Sequence, residues 1–422
     1  MEFPDMIRLR QHFDTRRLDD VEAAVARGVA ELDLGARVRR GQTVAIGCSS
    51  RGISRYAEIV GATVRAARRL GLEPFLFPAM GSHGAATAEG QVQVLADAGI
   101  TEASMGCPVR SSLEVVGIGR TAHGVDVVVD RNAWSADHVV LVNRVRSHTE
   151  FTHEFESGLQ KMMAIGMGKE VGASAYHRAF LERGYGAVIR DIAEVVIGTG
   201  KFLFGVGIVE NGHGETARVE VAGPERLYAV ERALLAEARR MAPRLPFEDV
   251  DVLVVEEMGK EVSGTGVDTK VVGRILMPLV TPEPESPRVK RIVVLDLTER
   301  TRGNADGIGI ADFVTRRLVD KIDRRALYVN ALAGSEPEHA RIPMTMDTDR
   351  EAVEAGLATV GTAPPTAMRV VHIRNTARLE VVAVSAAYRD EIATRDDLEI
   401  VGDDGPMAFD PDGTLRRLPR DE

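Results

Sequence analysis

Apolar residues along the chain fall into two rhythms. Short continuous runs, Thr43-Val-Ala-Ile-Gly47, Pro74-Phe-Leu-Phe-Pro78, His138-Val-Val-Leu-Val142 and Val250-Asp-Val-Leu-Val-Val255, predict buried strands, because β-branched and aliphatic residues bounded by polar turns suit a sheet covered on both faces. Between them apolar residues recur at helical spacing: Val21, Val25, Val29 and Leu32 follow Asp19 and Asp20 as caps, and residues 53–70, 88–98, 186–197 and 224–241 show the same period. Residues 106–130 instead alternate apolar and polar, which predicts paired strands with His123 at the hairpin tip. Further strands are expected at 202–210, 218–221, 291–297, 326–329, 370–373 and 379–384.

Strands alternating with helices predict an α/β protein of two domains with mainly parallel, Rossmann-like sheets. Pro243-Arg-Leu-Pro246 reads as a linker, giving domains of residues 1–246 and 247–422 with the active site in the cleft between them. The tail after about residue 403 is expected to lie on the surface or fray.

Composition narrows the function. A net charge of −10 over 422 residues argues against a nucleic-acid partner, and the short basic clusters Arg37, Arg39, Arg40 and Arg316, Arg317 read as solvated helix ends. With only Cys48 and Cys107, a disulfide framework or a four-thiolate cluster within one chain is excluded. The N-terminus has no apolar leader, and no run approaches the ~18 apolar residues of a membrane span, so a cytoplasmic protein without membrane contact is expected.

Candidate chemistry concentrates between Asn143 and Phe180, where three histidines, two lysines and four glycines follow a predicted strand. Parallel sheets bind ligands where strands end. Ser157 reads as the start of a helix with Lys161 one turn in, and a further helix over 173–181 carries His177. Two earlier strand ends add candidates. Ser49, Ser50 and Arg51 precede a helix and form either an anion cradle or an ordinary turn, while glycines on both sides of the Ser82-His83 pair project that imidazole at the next strand end. The polar, glycine-rich loop 256–268, with Lys260 and Asp268, is either a solvated surface or a substrate-facing edge, and residues 304–309 form a similar turn.

The order His83, His148, Lys161, His177, with sixteen positions from the lysine to the last histidine, resembles the nickel-dependent lactate racemase family. The resemblance implies a nickel-pincer nucleotide, pyridinium-3,5-bisthiocarboxylic acid mononucleotide, joined to Lys161 as a thioamide, with nickel held partly by His177 and the phosphate near Ser49, Ser50 and Arg51. Enzymes that make this nucleotide are then implied partners. His83 and His148 are implied as the two acid/base groups, one for each face of a 2-hydroxy acid, with His153 as the rival for the second role. Imidazole, with an unperturbed pKa of ~6.5, suits both duties. Read without the resemblance, Lys161 near a helix start is a plain anion binder.

The chain departs from the lactate-specific pattern. Gly84 stands where arginine is common, Gly-Leu-Gln precedes Lys161, and about three extra residues separate His148 from Lys161. These departures predict a 2-hydroxy acid larger or more polar than lactate, its carboxylate paired with Lys260 or Arg274. Two other readings stand beside this one. One is a metal-dependent lyase or hydratase on a sugar acid, with His148, His153 and Glu150 or Glu154 as ligands; the other is a non-catalytic nucleotide binder.

Overall fold

The computed structural model describes residues 1–50 and 52–419. The chain divides into one unit of residues Asp14–His148 and Thr152–Ala242 and a second of Met1–Phe13, Thr149–Phe151 and Pro243–Glu422. The change of unit after Ala242 lies four residues before Pro246, and residues 1–13 and 149–151 group with the second unit.

In the first unit, five strands lie in the order Glu73–Pro78, Thr43–Cys48, His138–Arg144, Phe202–Glu210, Thr216–Ala222. The first four are parallel and the last is antiparallel to its neighbour. The strands are continuously apolar because both faces are covered. Val44, Ile46, Val140, Val142, Phe204 and Val206, two residues apart on successive strands, share one face. They pack with Val21, Val25 and Val29 of helix Val21–Ala30 and with Ile59 and Val60 of helix Tyr56–Arg69. Helix starts follow the sequence signals: Asp20 accepts from the Ala23 amide at 2.8 Å and Thr87 from that of Gly90 at 3.0 Å. Val115–Arg120 and Asp126–Asp130 form the antiparallel ribbon that the alternation predicted, and His123 beside its turn contacts Asp191 at 2.8 Å.

The second unit holds an eight-stranded sheet in the order Met344–Met346, Phe313–Thr315, Arg288–Val294, Asp249–Val255, Val370–Ile373, Val381–Ser385, Asp5–Gln11, Leu398–Pro406. The first five strands are parallel and the last three are antiparallel. Asp5–Gln11 escaped the sequence reading although Ile7 and Leu9 alternate with Arg8 and Arg10, because the run is short and carries two cations. The strand expected at 326–329 lies inside helix Arg324–Gly334; Asp323 caps that helix, and a four-residue apolar run is too short to specify a strand. Among the described residues no helix is long and apolar enough to cross a membrane.

Residues 404–419 are not frayed. Leu398–Pro406 completes the sheet, Leu415 and Leu418 are buried, and their amides donate to Asp349 Oδ2 at 3.0 Å and Glu256 Oε1 at 2.6 Å. Replacing Leu415, which is 2% exposed, by alanine should therefore cost about 2–4 kcal/mol of stability. Urea unfolding reads this as a lower midpoint, whereas a loose tail would leave the midpoint unchanged.

Candidate active site

The carboxyl ends of the first unit's parallel strands gather most of the sequence-predicted residues. After Thr43–Cys48 the chain is pinned by Tyr56, whose hydroxyl accepts from the Ser49 amide at 2.6 Å and donates to the Val142 carbonyl at 2.8 Å. The next residue, Ser50, places its Oγ 2.5 Å from Nδ1 of His83 on the neighbouring strand's turn. A hydroxyl can donate or accept, so this contact serves either tautomer of His83. Arg51 lies outside the described residues.

The His83 turn is built for close approach. Gly81 has φ +60° and its amide donates to the Gly166 carbonyl at 3.1 Å; a Cβ on Gly166 would lie 2.6 Å from the Ala79 carbonyl oxygen. The turn therefore rests on the segment that follows Lys161. That segment is short α-helix Leu159–Lys161, a π-helical turn Met162–Gly166, and helix Met167–Arg183 with a break at Lys169. Such turns recur at functional sites.

Ser157 does not cap this helix as expected. The buried carboxylate of Glu231 takes the orphan donors instead, accepting from the Gln160 amide at 3.1 Å. A Cβ on Gly158 would overlap Glu231 Oε1 at 2.0 Å, so any other residue there would displace the carboxylate. Burial pushes the Glu231 carboxyl up to about 7, while hydrogen bonds from Gln160 and Leu159 oppose the shift.

His148 and His153 separate clearly. His148 is buried, and its Nε2 touches the Lys161 amine in a short hydrogen bond. His153 instead lies edge-on to Phe155, 4.3 Å between ring centroids, and against Gly186, where a Cβ would overlap its ring at 2.3 Å. Burial lowers the His153 imidazole's pKa, the nearby Glu154 and Glu156 opposing. Glu156, 1% exposed, clamps both: it accepts from the His148 amide at 2.5 Å and the His153 amide at 3.1 Å, and pairs with Arg239 at 2.5 Å. An aromatic row joins the remaining candidate: His177 to Phe180 at 5.3 Å, Phe180 stacked on Tyr185 at 4.5 Å, and Tyr185 to His148 at 6.3 Å between centroids. His148 and Lys161 are thus in contact, and His177 is linked to them through Phe180 and Tyr185.

Residues 12–187, which contain His83, His148, Lys161 and His177 but not Glu231 or Arg239, match the family model of the lactate racemase N-terminal domain. This part of the chain is thus similar to the lactate racemase N-terminal domain. The lactate racemase apoprotein of Thermoanaerobacterium thermosaccharolyticum is similar at 14% identity, over 66% of this chain and 68% of its own, with a TM-score of 0.44. A protein of Thermotoga maritima is similar at 15% identity, over 65% and 70%, with a TM-score of 0.45. No curated protein sequence matches the chain.

Around these histidines, the loop side chains of the metal-dependent lyase reading do not gather. His153 packs against Gly186, Glu154 pairs with Arg232 at 3.5 Å, and Glu150, grouped with the second unit, faces Glu336. Among the described residues no three His, Cys, Asp or Glu side chains converge as metal ligands. In the second unit, the Lys260 amine donates to the Gly264 carbonyl and lies 3.0 Å from Asp306 Oδ2. Asp268 caps the short helix Thr269–Val272 through the Lys270 amide at 3.0 Å, and Arg274 is engaged by Asp312 at 2.9 Å. Sequence reasoning missed Glu156, Glu231, Gln91, Asp130 and Lys169. A charged residue inside an otherwise apolar or glycine-rich segment, as Lys169 is in Gly166-Met-Gly-Lys169, was the available signal.

Glu231 gives a pH prediction. Its folded pKa of about 7 lies above the ordinary 4.5, so the folded state holds the proton more tightly. The associated stability is present below about pH 4.5 and is lost as pH rises to about 7. Glu231→Gln, which keeps an acceptor and cannot ionise, should gain on the wild type across this window by at most about 3 kcal/mol. Parallel stability-against-pH curves for the two proteins would contradict the assignment.

Proposed function

We propose that the chain is a racemase or epimerase of a 2-hydroxy acid larger or more polar than lactate. The observation that carries this reading is the contact of His148 with Lys161 inside the stretch that matches the lactate racemase N-terminal domain, with His83 and His177 on the elements packed around it. The family's nickel-pincer nucleotide is part of the proposal, and the donor set fits it. Lys161 offers a half-buried primary amine for a thioamide, and His177 offers one imidazole to a nickel otherwise held by soft sulfur. When bound, that group supplies an electron-poor pyridinium able to take up hydride and return it.

This chain's own residues handle the proton. Taking hydride from Cα of a 2-hydroxy acid requires that the hydroxyl proton leave with it, which yields the 2-keto acid; returning hydride to the other face requires the proton back. His83 and His148 are the groups proposed for the two faces. The Ser50 hydroxyl suits His83 to both directions, because it accepts from a protonated Nδ1 and donates to a bare one. At the His148–Lys161 contact one nitrogen must be the acceptor, so the two share one proton there, and Glu156 holds the His148 backbone while it moves. His153, wedged against Gly186, is assigned packing rather than chemistry. Lys260 remains the cation proposed for the substrate carboxylate.

Protein produced together with the cofactor-making enzymes should carry a mass adduct on Lys161 and bound nickel, and Lys161→Ala should lose both. In a panel followed by optical rotation, gluconate-like or malate-like acids should turn over faster than lactate. Absence of adduct and nickel under these conditions overturns the cofactor assignment, and preference for lactate overturns the substrate class.

A further inference from the structure

Lys169 is a fully buried cation, and the proposed reaction does not use it. Its ammonium meets three acceptors: the Pro78 carbonyl at 2.5 Å, Gln91 Oε1 at 3.0 Å and Asp130 Oδ2 at 2.9 Å. Asp130 is equally buried and is itself fixed, accepting from the Ala133 amide at 2.9 Å at the end of the ribbon. Burying such a pair is costly, and apolar side chains of similar volume usually serve stability as well or better. The backbone of Lys169 adds strain, with φ +55° and ψ −158°, a conformation that non-glycine residues adopt only when their surroundings impose it. A strained, buried lysine in the middle of a helical segment, with two hydrogen bonds and an ion pair, points to a duty other than packing.

The partners of Lys169 indicate that duty. Gln91, also fully buried, turns its amide nitrogen onto the Gly81 carbonyl at 2.8 Å and the His83 carbonyl at 3.2 Å. Pro78 ends the strand from which the same turn departs. Lys169 itself lies eight residues after Lys161 and eight before His177. One ammonium therefore joins both ends of the His83 turn, directly at Pro78 and through Gln91 at Gly81 and His83, to the segment that carries the other two candidate residues.

We propose that Lys169 is a positioning residue: held by Asp130 and acting through Gln91, it fixes the His83 turn in register with the segment bearing Lys161 and His177. The inference rests on the racemase reading only for what His83 does, since the geometry belongs to the chain alone.

The test uses the full chain with Lys169→Met and Gln91→Leu, the second of which keeps the Lys169–Asp130 pair. Modification of His83 by diethyl pyrocarbonate is followed by peptide mass spectrometry, with the half-exposed His123, at the turn end of the ribbon opposite Asp130, as internal reference. Freed from its restraint, His83 should react roughly fivefold to thirtyfold faster in either variant, as expected for loss of a single local interaction, while His123 is unchanged. In loaded enzyme, kcat should fall on the order of a hundredfold with KM less affected, as for a misplaced reacting group. An unchanged His83 rate in Gln91→Leu, or an equal rise at His83 and His123, overturns the inference; if Lys169→Met fails to fold, Gln91→Leu decides alone. A wild type that racemises no 2-hydroxy acid while the His83 rate still responds would remove the racemase reading and leave the positioning role standing.

Discussion

The candidate site depends on one close approach of backbone to backbone. The turn that presents His83 must lie directly on the residues following Lys161, and no side chain fits between them. The Gly81 amide reaches the Gly166 carbonyl at 3.1 Å, and a methyl group on Gly166 would press into the Ala79 carbonyl. Glycine at both positions lets two strand-end loops act as one surface. The π-helical turn over Met162–Gly166 then carries the chain away from Lys161 toward the helix of His177.

Around that contact, buried charges hold backbone rather than substrate. Glu156 binds the amides of His148 and His153, Glu231 binds the first amides of the Lys161 helix, and Lys169 binds the carbonyls of the His83 turn directly or through Gln91. Loop backbone at a strand end leaves many polar groups without regular partners, and a buried charge satisfies several at once. The three differ in compensation. Glu156 has Arg239 and Lys169 has Asp130, but Glu231 pairs with no cation among the described residues, and burial raises its pKa.

The sheet of the first unit was legible because its strands are long apolar runs and its helices carry clean caps at Asp20 and Thr87. The strand-end positions of His83, His148 and Lys161 followed from the same pattern. Three features were hidden. Asp5–Gln11 belongs to the distant C-terminal sheet, a long-range pairing that no local period encodes. The separation of His148 from His153 turns on Gly186, far along the chain, whose bare Cα accepts one ring. Glu156 and Glu231 look like ordinary surface charges in sequence, and only tertiary packing buries them, whereas the apolar, glycine-rich setting of Lys169 was the one local signal.

The central claim is that these residues serve inversion at Cα by removal and return of hydride, with the histidines moving only the hydroxyl proton. The direct measurement is racemisation of a Cα-deuterated 2-hydroxy acid in ordinary water by protein produced with the cofactor-making enzymes. The account predicts that both enantiomers of the product keep deuterium at Cα. Exchange of that deuterium for solvent hydrogen at the pace of racemisation would mean proton abstraction from carbon, and would contradict it.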